Sequence, residues 1–216
     1  MATTDGLTWQ PSLLDAGDAP RVDPSMPGLT RVQLDPSAWL EHVPGWLVGA
    51  DTVFAGLVDL LPWRTGDRHM YDRVVAVPRL RASASDVPDL LDRIPVLRSM
   101  GDALSARYGR DFVSVGFNLY RDGRDSVAWH GDRIPKDAID DAIVALVSVG
   151  EPRRFLVRPK TGGGGRPSLR FDCGNGDLLV MGGTAQRDWQ HCVPKVAAAG
   201  PRISIAYRHV HIRSNY

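Results

Sequence analysis

From Asp111 onward the chain is a succession of short β-type runs separated by turn signals, and this pattern limits the possible folds more than any other feature. In the run Val113 to Tyr120, Val113, Val115, Phe117 and Leu119 fall on one face, and Ser114, Gly116, Asn118 and Tyr120 on the other. Asp122-Gly123 turns the chain into the next run, Ser126 to Asp132. Ala142 to Val149 is apolar on both faces and so belongs inside the fold. Arg153 to Arg158 and Ser168 to Cys173 flank the glycines Gly162 to Gly165 as a flexible hairpin. Asp177 to Met181 is another apolar strand, and Arg202 to His211 is the last.

The N-terminal side reads differently. The first ~30 residues are rich in Pro, Asp and Gly and form an irregular arm. Arg31 to Leu34 is a short strand, and Asp35-Pro36 has the form of a helix start, with Asp as N-cap and Pro at the first helical position. A second helix begins at Asp51, carries Val53, Phe54, Leu57, Leu60 and Leu61 on one face, and ends at Pro62. Val74 to Val77 is a β-branched run stopped by Pro78. Pro88 to Tyr108 is helical, with Leu90, Leu91, Ile94, Leu97, Met100 and Leu104 as the buried stripe and a break at Pro95. Many short strands, no βαβ alternation and helices gathered towards the N-terminus predict an α+β protein, a double-sheet jelly roll or cupin-like barrel. With 216 residues, no internal repeat and no linker, one domain is expected.

A net charge of +1 gives no overall basic character, so any nucleic-acid role needs basic residues concentrated on one face. Cys173 and Cys192 have no metal-type spacing, which argues against a disulfide framework or a zinc motif. The first residues lack a basic and apolar leader pattern, and no apolar run is long enough to span a bilayer. A soluble, cytoplasmic protein without a membrane partner is the expectation.

His130 and Asp132 are two residues apart and, in a strand, lie on the same side. An imidazole and a carboxylate directed into one cavity can supply two of the three protein ligands of a non-haem Fe(II) site, which keeps positions open for a co-substrate and O2. Alone, such a pair is more often surface decoration. His191, in the stretch Trp189 to Lys195, follows a strand and can return beside the first two ligands in a barrel of short strands; the alternative is a hydrogen-bonded loop histidine. Arg202, Ser204, Ala206 and Arg208 share a face opposite Ile203, Ile205 and Tyr207. The two arginines face either a wet exterior or the lumen. In a lumen each needs a fixed carboxylate, because an unpaired buried charge is costly, and a dicarboxylate co-substrate is such a partner. Asn118 and Tyr120 share a face beside the His-x-Asp strand and can hydrogen-bond carboxylate oxygens.

In this order, Asn-x-Tyr, His-x-Asp, His, Arg-x-Ser-x-x-x-Arg, the set resembles the AlkB family of Fe(II)- and 2-oxoglutarate-dependent dioxygenases. The resemblance spans Pro78 to Arg208. It includes Pro78-Arg-Leu80, Asn118-x-Tyr120-x-Asp-Gly123, Trp129-His-x-Asp132, Arg153-x-Phe155, Gly176-Asp-Leu-Leu-Val-Met181 and His191-x-Val-Pro-Lys195. It implies a double-stranded β-helix over residues 111–213, with residues 1–110 as an extension and substrate lid across its open end. It implies Fe(II) held by His130, Asp132 and His191, with 2-oxoglutarate and O2 as co-substrates. Arg202 and Tyr120 would hold the distal carboxylate of 2-oxoglutarate. Asn118, Ser204 and Arg208 would lie near its chelating end, with Arg208 also close to Asp132. The family hydroxylates N-alkyl groups on nucleobases, and the hydroxymethyl product collapses to formaldehyde and the repaired base.

A monomer is the expectation, and its implied partner is alkylated DNA, with RNA as an alternative; a duplex base must leave the stack to reach a buried iron. Affinity would come mainly from phosphates, with Arg153, Arg154, Arg158, Lys160, Arg166 and Arg170 as candidate contacts in the Gly-tipped hairpin, unless that hairpin is an ordinary solvated edge. Arg64, Arg68 and Arg81 are further candidates. Many family members follow Pro-Arg-Leu with an aromatic-Gly pair that contacts the base. Arg81 to Asp86 has none, which leaves Trp63, His69, Met70 or Tyr71 to stack on it. Two other readings compete: the same iron chemistry on RNA, protein or a small molecule, and a non-catalytic cupin-like binding module.

Overall fold

The computed structural model describes residues 7, 9, 18–70, 73–132, 134–135, 141–160 and 169–209, with the backbone alone over 67–70 and 73–77. The elements run β1 (Arg21–Val22), β2 (Thr30–Gln33), β3 (Ala38–Val43), β4 (Leu47–Val48) and α1 (Ala50–Leu60). They continue with β5 (Arg64–Met70), β6 (Arg73–Ser83), α2 (Leu90–Arg93) and α3 (Val96–Tyr108). After these come β7 (Ser114–Tyr120), β8 (Val127–His130), β9 (Val144–Gly150), β10 (Arg153–Pro159) and β11 (Leu169–Cys173). β12 (Leu178–Gly183), α4 (Ala185–Asp188), β13 (Trp189–Val193) and β14 (Arg202–Arg208) complete the described chain. None of the described helices is long and apolar enough to cross a membrane.

Two sheets carry the site. The larger has the order β2-β3-β12-β9-β14-β7-β6-β5, and the smaller the order β11-β10-β13-β8. Phe54, Leu57, Leu97, Met100 and Leu104 of the helices pack on Phe117, Leu119, Val147, Ile203, Ile205 and Tyr207 of the larger sheet. A second core joins Leu40, Val144, Leu179 and Met181 of that sheet to Phe155, Val157, Trp189 and Val193 of the smaller one. Helices, large sheet and small sheet thus stack in three layers, with a lumen between the sheets. This is the double-sheet jelly roll expected from the strand pattern, in the double-stranded β-helix form that the resemblance implies.

β14 explains how polar residues come to line that lumen. It is laddered on both edges, Arg202 opposite Tyr120 and Gly150, and Ser204 opposite Asn118 and Ser148. A strand held on both sides cannot rotate, so its period of 2 sends Ile203, Ile205 and Tyr207 to the helices and Arg202, Ser204 and Arg208 to the lumen. Gly150 ends β9 in the left-handed region (φ 92), and a Cβ there would meet the Pro201 carbonyl oxygen at 2.5 Å. Only glycine lets the two strands meet so closely at the Arg202 end.

Three expectations need correction. Asp35-Pro36 starts no helix. The Asp35 carboxylate accepts from the Ser37 and Ala38 N–H groups at 2.8 and 2.9 Å and from Trp189 Nε1 at 2.6 Å. A turn and a helix cap use the same local bonds, and here the following residues pair with strands on both sides as β3. Pro78 does not end a strand, since β6 runs through it. It lies opposite the register shift between Thr65 and Asp67, where no ladder bond is required of it, and its carbonyl accepts from the Ser126 N–H at 2.8 Å. Val113 precedes β7 and is exposed. The breaks at Pro62 and Pro95 are observed, with α1 ending at Leu60 and α2 and α3 separated by Ile94-Pro95. The described part of β14 ends at Arg208; His211 and Gly162 to Gly165 lie outside the described residues.

Candidate active site

His130 and His191 sit opposite each other on β8 and β13, with ring centroids 4.3 Å apart and a register shift just beyond them. His191 is therefore in a strand, not after one. β8 ends at His130, so Asp132 comes from the turn beyond it. That turn is pressed against α4: a Cβ on Gly131 would meet the Gln186 carbonyl oxygen at 2.5 Å. The buried Gln186 side chain accepts the Asp132 N–H at 2.8 Å. The Asp132 carboxylate then swings back beneath the imidazoles, with Oδ1 at 3.8 Å from His130 Nε2 and 3.9 Å from His191 Nε2.

The three candidate ligand atoms all lie within 4.8 Å of one another. Two ligands at about 2.1 Å from one ion stand at most about 4.2 Å apart, so small side-chain rotations bring the set onto a common centre. The other atoms of these groups are already committed. Arg208 Nε and Nη2 both approach Asp132 Oδ2 at 2.7 Å, which leaves Oδ1 turned to the imidazoles. His130 Nδ1 donates to the Ala128 carbonyl at 2.9 Å, so its Nε2 carries the lone pair. The Phe155 ring stacks on His191 at 5.1 Å.

Burial opposes charge on Asp132, but the positive charge of Arg208, followed by the two facing imidazoles, outweighs it and holds the carboxyl down at about 2. Burial, then the neighbouring His130, pushes His191 down to about 3, and burial also lowers His130. At neutral pH the group is two neutral imidazoles and one carboxylate, the donor set a divalent first-row metal takes.

The far end of the lumen is built for an anion. Arg202 is 2% exposed. Its Nη2 donates to Ser148 Oγ at 2.7 Å, while Nε and Nη1 are buried without partners among the described residues. Tyr120 lies beside it, the ring centroid 5.3 Å from Arg202 Cζ. Between the two ends, Asn118 Oδ1 accepts from Arg79 Nε at 2.8 Å, which leaves the Asn118 NH2 free to donate into the lumen. Two unmatched donors on a buried cation call for a bound carboxylate, and 2-oxoglutarate brings one.

The comparisons with known proteins agree with this geometry. Residues 61–208 match the family model of the 2OG-Fe(II) oxygenase superfamily. The chain is also 32% identical over 222 residues to alpha-ketoglutarate-dependent dioxygenase alkB homolog 3 of Homo sapiens, covering 94% of this chain and 74% of that one. The chain belongs to the 2OG-Fe(II) oxygenases, as an AlkB-like dioxygenase. It is 31% identical over 123 residues to DNA oxidative demethylase ALKBH2 of Homo sapiens, covering 54% of this chain and 47% of that one. The solved structure of OsALKBH1 shares the fold at a TM-score of 0.53 and 14% identity, covering 84% of this chain and 100% of that one. Enzymes of this family use Fe(II), 2-oxoglutarate and O2, and the His-Asp-His cluster and the orphaned Arg202 donors of this AlkB-like chain fit the metal and the co-substrate.

The sequence-derived substrate residues fare unevenly. Arg153 is not a phosphate contact. It is 3% exposed, shares the inner face of β10 with Phe155 and Val157, and donates to the carbonyls of Asp122, Asp125 and Pro194. Trp63 is buried in the core between the helices and the large sheet, so its face is closed to an incoming base. Arg158 lies on the outer face, its Cζ 4.2 Å over the Trp129 ring and its N–H groups on Gln190 Oε1. Arg170 is paired with Asp172 at 2.7 Å, while Arg154 and Lys160 are exposed. Arg166, Tyr71 and the side chains of Arg68, His69 and Met70 lie outside the described residues. Two residues at the site, Gln186 and Ser148, were not singled out in the sequence, and Arg79 entered only as part of Pro78-Arg-Leu80 with no role. Ser148 had a signal, as the one polar residue in the apolar run Ala142 to Val149.

Proposed function

We propose that this dioxygenase demethylates N-alkylated nucleobases in DNA, with alkylated RNA as the competing polymer. The supporting observation is the asymmetry of the lumen. The His130 side chain is 30% exposed, whereas Arg202 at the opposite end is 2% exposed. A small co-substrate can thus be enclosed while the metal end stays open to a bulky base. The likeness to a relative named DNA oxidative demethylase points to the same substrate class.

Bound together, Fe(II), O2 and 2-oxoglutarate supply hydroxylation of the N-alkyl carbon as 2-oxoglutarate becomes succinate and CO2. The rest is the work of the protein. His130, Asp132 and His191 hold the ion, and Arg208 keeps Asp132 ionised and oriented. Arg202 and Tyr120 grip the distal carboxylate, while Asn118 and Ser204 face the chelating end. The resulting hydroxymethyl group leaves the base nitrogen as formaldehyde. The base must be flipped or single-stranded to arrive. Outside the mouth, Arg158 stacked on Trp129, together with Arg154 and Lys160, offers contacts for the phosphate backbone. An open groove of about 570 Å³ at the Arg153 end of β10 is lined by Arg153, Arg154, Arg170, Asp172 and Lys195.

The test is formaldehyde release from oligonucleotides carrying 1-methyladenine or 3-methylcytosine, in DNA and RNA, beside unmodified controls. Formaldehyde from methylated DNA alone or preferentially supports the proposal. Succinate without formaldehyde redirects the iron chemistry to another substrate, and no succinate at all leaves a binding module.

A further inference from the structure

Arg153 opens β10 in the smaller sheet and Arg202 opens β14 in the larger one. The Tyr120 ring lies near both, 5.7 Å from Arg153 Cζ and 5.3 Å from Arg202 Cζ. Both guanidinium groups are almost wholly buried, at 3% and 2% exposure. Arg153 spends Nη1 on the Asp122 carbonyl at 3.1 Å, and Nη2 on those of Asp125 and Pro194 at 2.9 and 2.7 Å. These acceptors are neutral. The nearby Asp125 carboxylate is taken by Arg121, which holds it through its backbone N–H, Nε and Nη2. Among the described residues, Arg153 Nε is buried without a partner, as are Arg202 Nε and Nη1. Burial, then the charge of Arg202, lowers the Arg153 pKa from its ordinary value, although the Asp125 and Asp122 carboxylates act in the opposite sense.

Two desolvated like charges that share one buried neighbourhood are unfavourable unless an anion joins them. Three carbonyl dipoles occupy Nη1 and Nη2, and the Asp122 and Asp125 carboxylates offset part of the charge, but no described residue meets the open Nε, and Arg202 adds a second cation at the same Tyr120 ring. We propose that Arg153 is the second cation of the co-substrate pocket. With Arg202 it sets the preference for a 2-oxo acid carrying a charged tail over one with a neutral tail, acting across Tyr120 as a positioning and specificity residue. This rests on the reading above that Arg202 holds the distal carboxylate.

Arg153→Gln keeps polar donors for the carbonyls and loses the charge; Arg153→Lys keeps the charge. Dissociation constants for 2-oxoglutarate, measured by calorimetry on the Mn(II)-loaded protein, and KM for succinate formation are compared with those of wild type. The Gln variant should weaken 2-oxoglutarate by about tenfold, on the scale of one charge-assisted hydrogen bond, with the loss falling on KM rather than kcat. Its discrimination against 2-oxopentanoate should fall by a similar factor, and Lys should restore most of both. Wild-type affinity in the Gln variant overturns the proposal, as does an equal loss in Gln and Lys, which would make Arg153 a carbonyl clasp only. Should neither variant fold, the wild-type arginine Nε–H resonances, assigned through bonds, decide the matter. Both Arg153 and Arg202 signals should move on adding 2-oxoglutarate. Movement of Arg202 alone overturns the role of Arg153, and movement of neither overturns the co-substrate reading itself.

Discussion

Replacing Arg202 by Met should make the ligand-free protein more stable and the liganded protein no more stable than that. Arg202 holds two buried donors, Nε and Nη1, that nothing satisfies, and one hydrogen bond to Ser148 Oγ. Each unsatisfied buried donor costs about 1–3 kcal/mol, and the bond lost is worth about 1–3 kcal/mol. Met fills similar volume and needs no partner, so the balance favours the variant by about 2 kcal/mol. In a chain of this size that is a rise in Tm of about 4–8 °C. Wild type should gain instead from its ligand: at 100 times Kd, 2-oxoglutarate contributes about 2.7 kcal/mol, hence about 5–11 °C. Thermal melts of the Mn(II)-loaded proteins, with and without 2-oxoglutarate, should therefore cross: the variant melts higher alone, and only wild type responds to the ligand. A variant less stable than wild type in the absence of ligand would show that the orphaned donors are no burden. A full ligand response in the variant would remove Arg202 from the co-substrate site.

Other perturbations test the supports of the site and the fold. Gln186→Leu strips the Asp132 N–H of its partner and should weaken Mn(II) or Co(II) binding about 10–100-fold, the usual effect of losing a group that orients a ligand; unchanged metal titrations would show that the turn holds itself. Asp177 is buried, which opposes its charge, but bonds from His42 and from the Gly45 and Gly174 N–H groups outweigh this and lower its pKa. A lowered folded value means stability that is present above about pH 4 and lost as the pH falls further. Asp177→Asn should accordingly flatten the stability–pH curve below that point in denaturant melts, and an unaltered acid slope refutes the assignment. Arg158→Ala should weaken oligonucleotide binding and reduce its salt slope by about 1 while succinate formation without oligonucleotide persists. An unchanged salt slope takes Arg158 off the phosphate path.

Why some residues could be placed from sequence and others could not is a matter of which physical rule is local. Alternation along a strand is local, and it sorted Asn118 and Tyr120 from Phe117 and Leu119, and Arg202 and Ser204 from Ile203 and Ile205. Whether the polar face meets water or a lumen is not local; it depends on the small sheet that arrives from residues far along the chain. Cap and turn chemistry is local but degenerate, so Asp35 could be placed as a backbone acceptor yet not as the start of a helix or a strand. Asp132 shows the opposite case, in which the expected convergence holds although the expected strand does not. Gly131 and α4 bring the carboxylate round by a route that period 2 does not describe. Arg153 is the instructive miss. Counting basic residues in a hairpin placed it outside, whereas the alternation used for β14 puts it with Phe155 and Val157, on the face that is apolar and therefore buried. Arg154 and Arg158, on the other parity, point outward as charge alone would suggest. Where the two arguments conflict the apolar neighbours decide, because two buried side chains outweigh one awkward cation that three carbonyls and an incoming anion can accommodate.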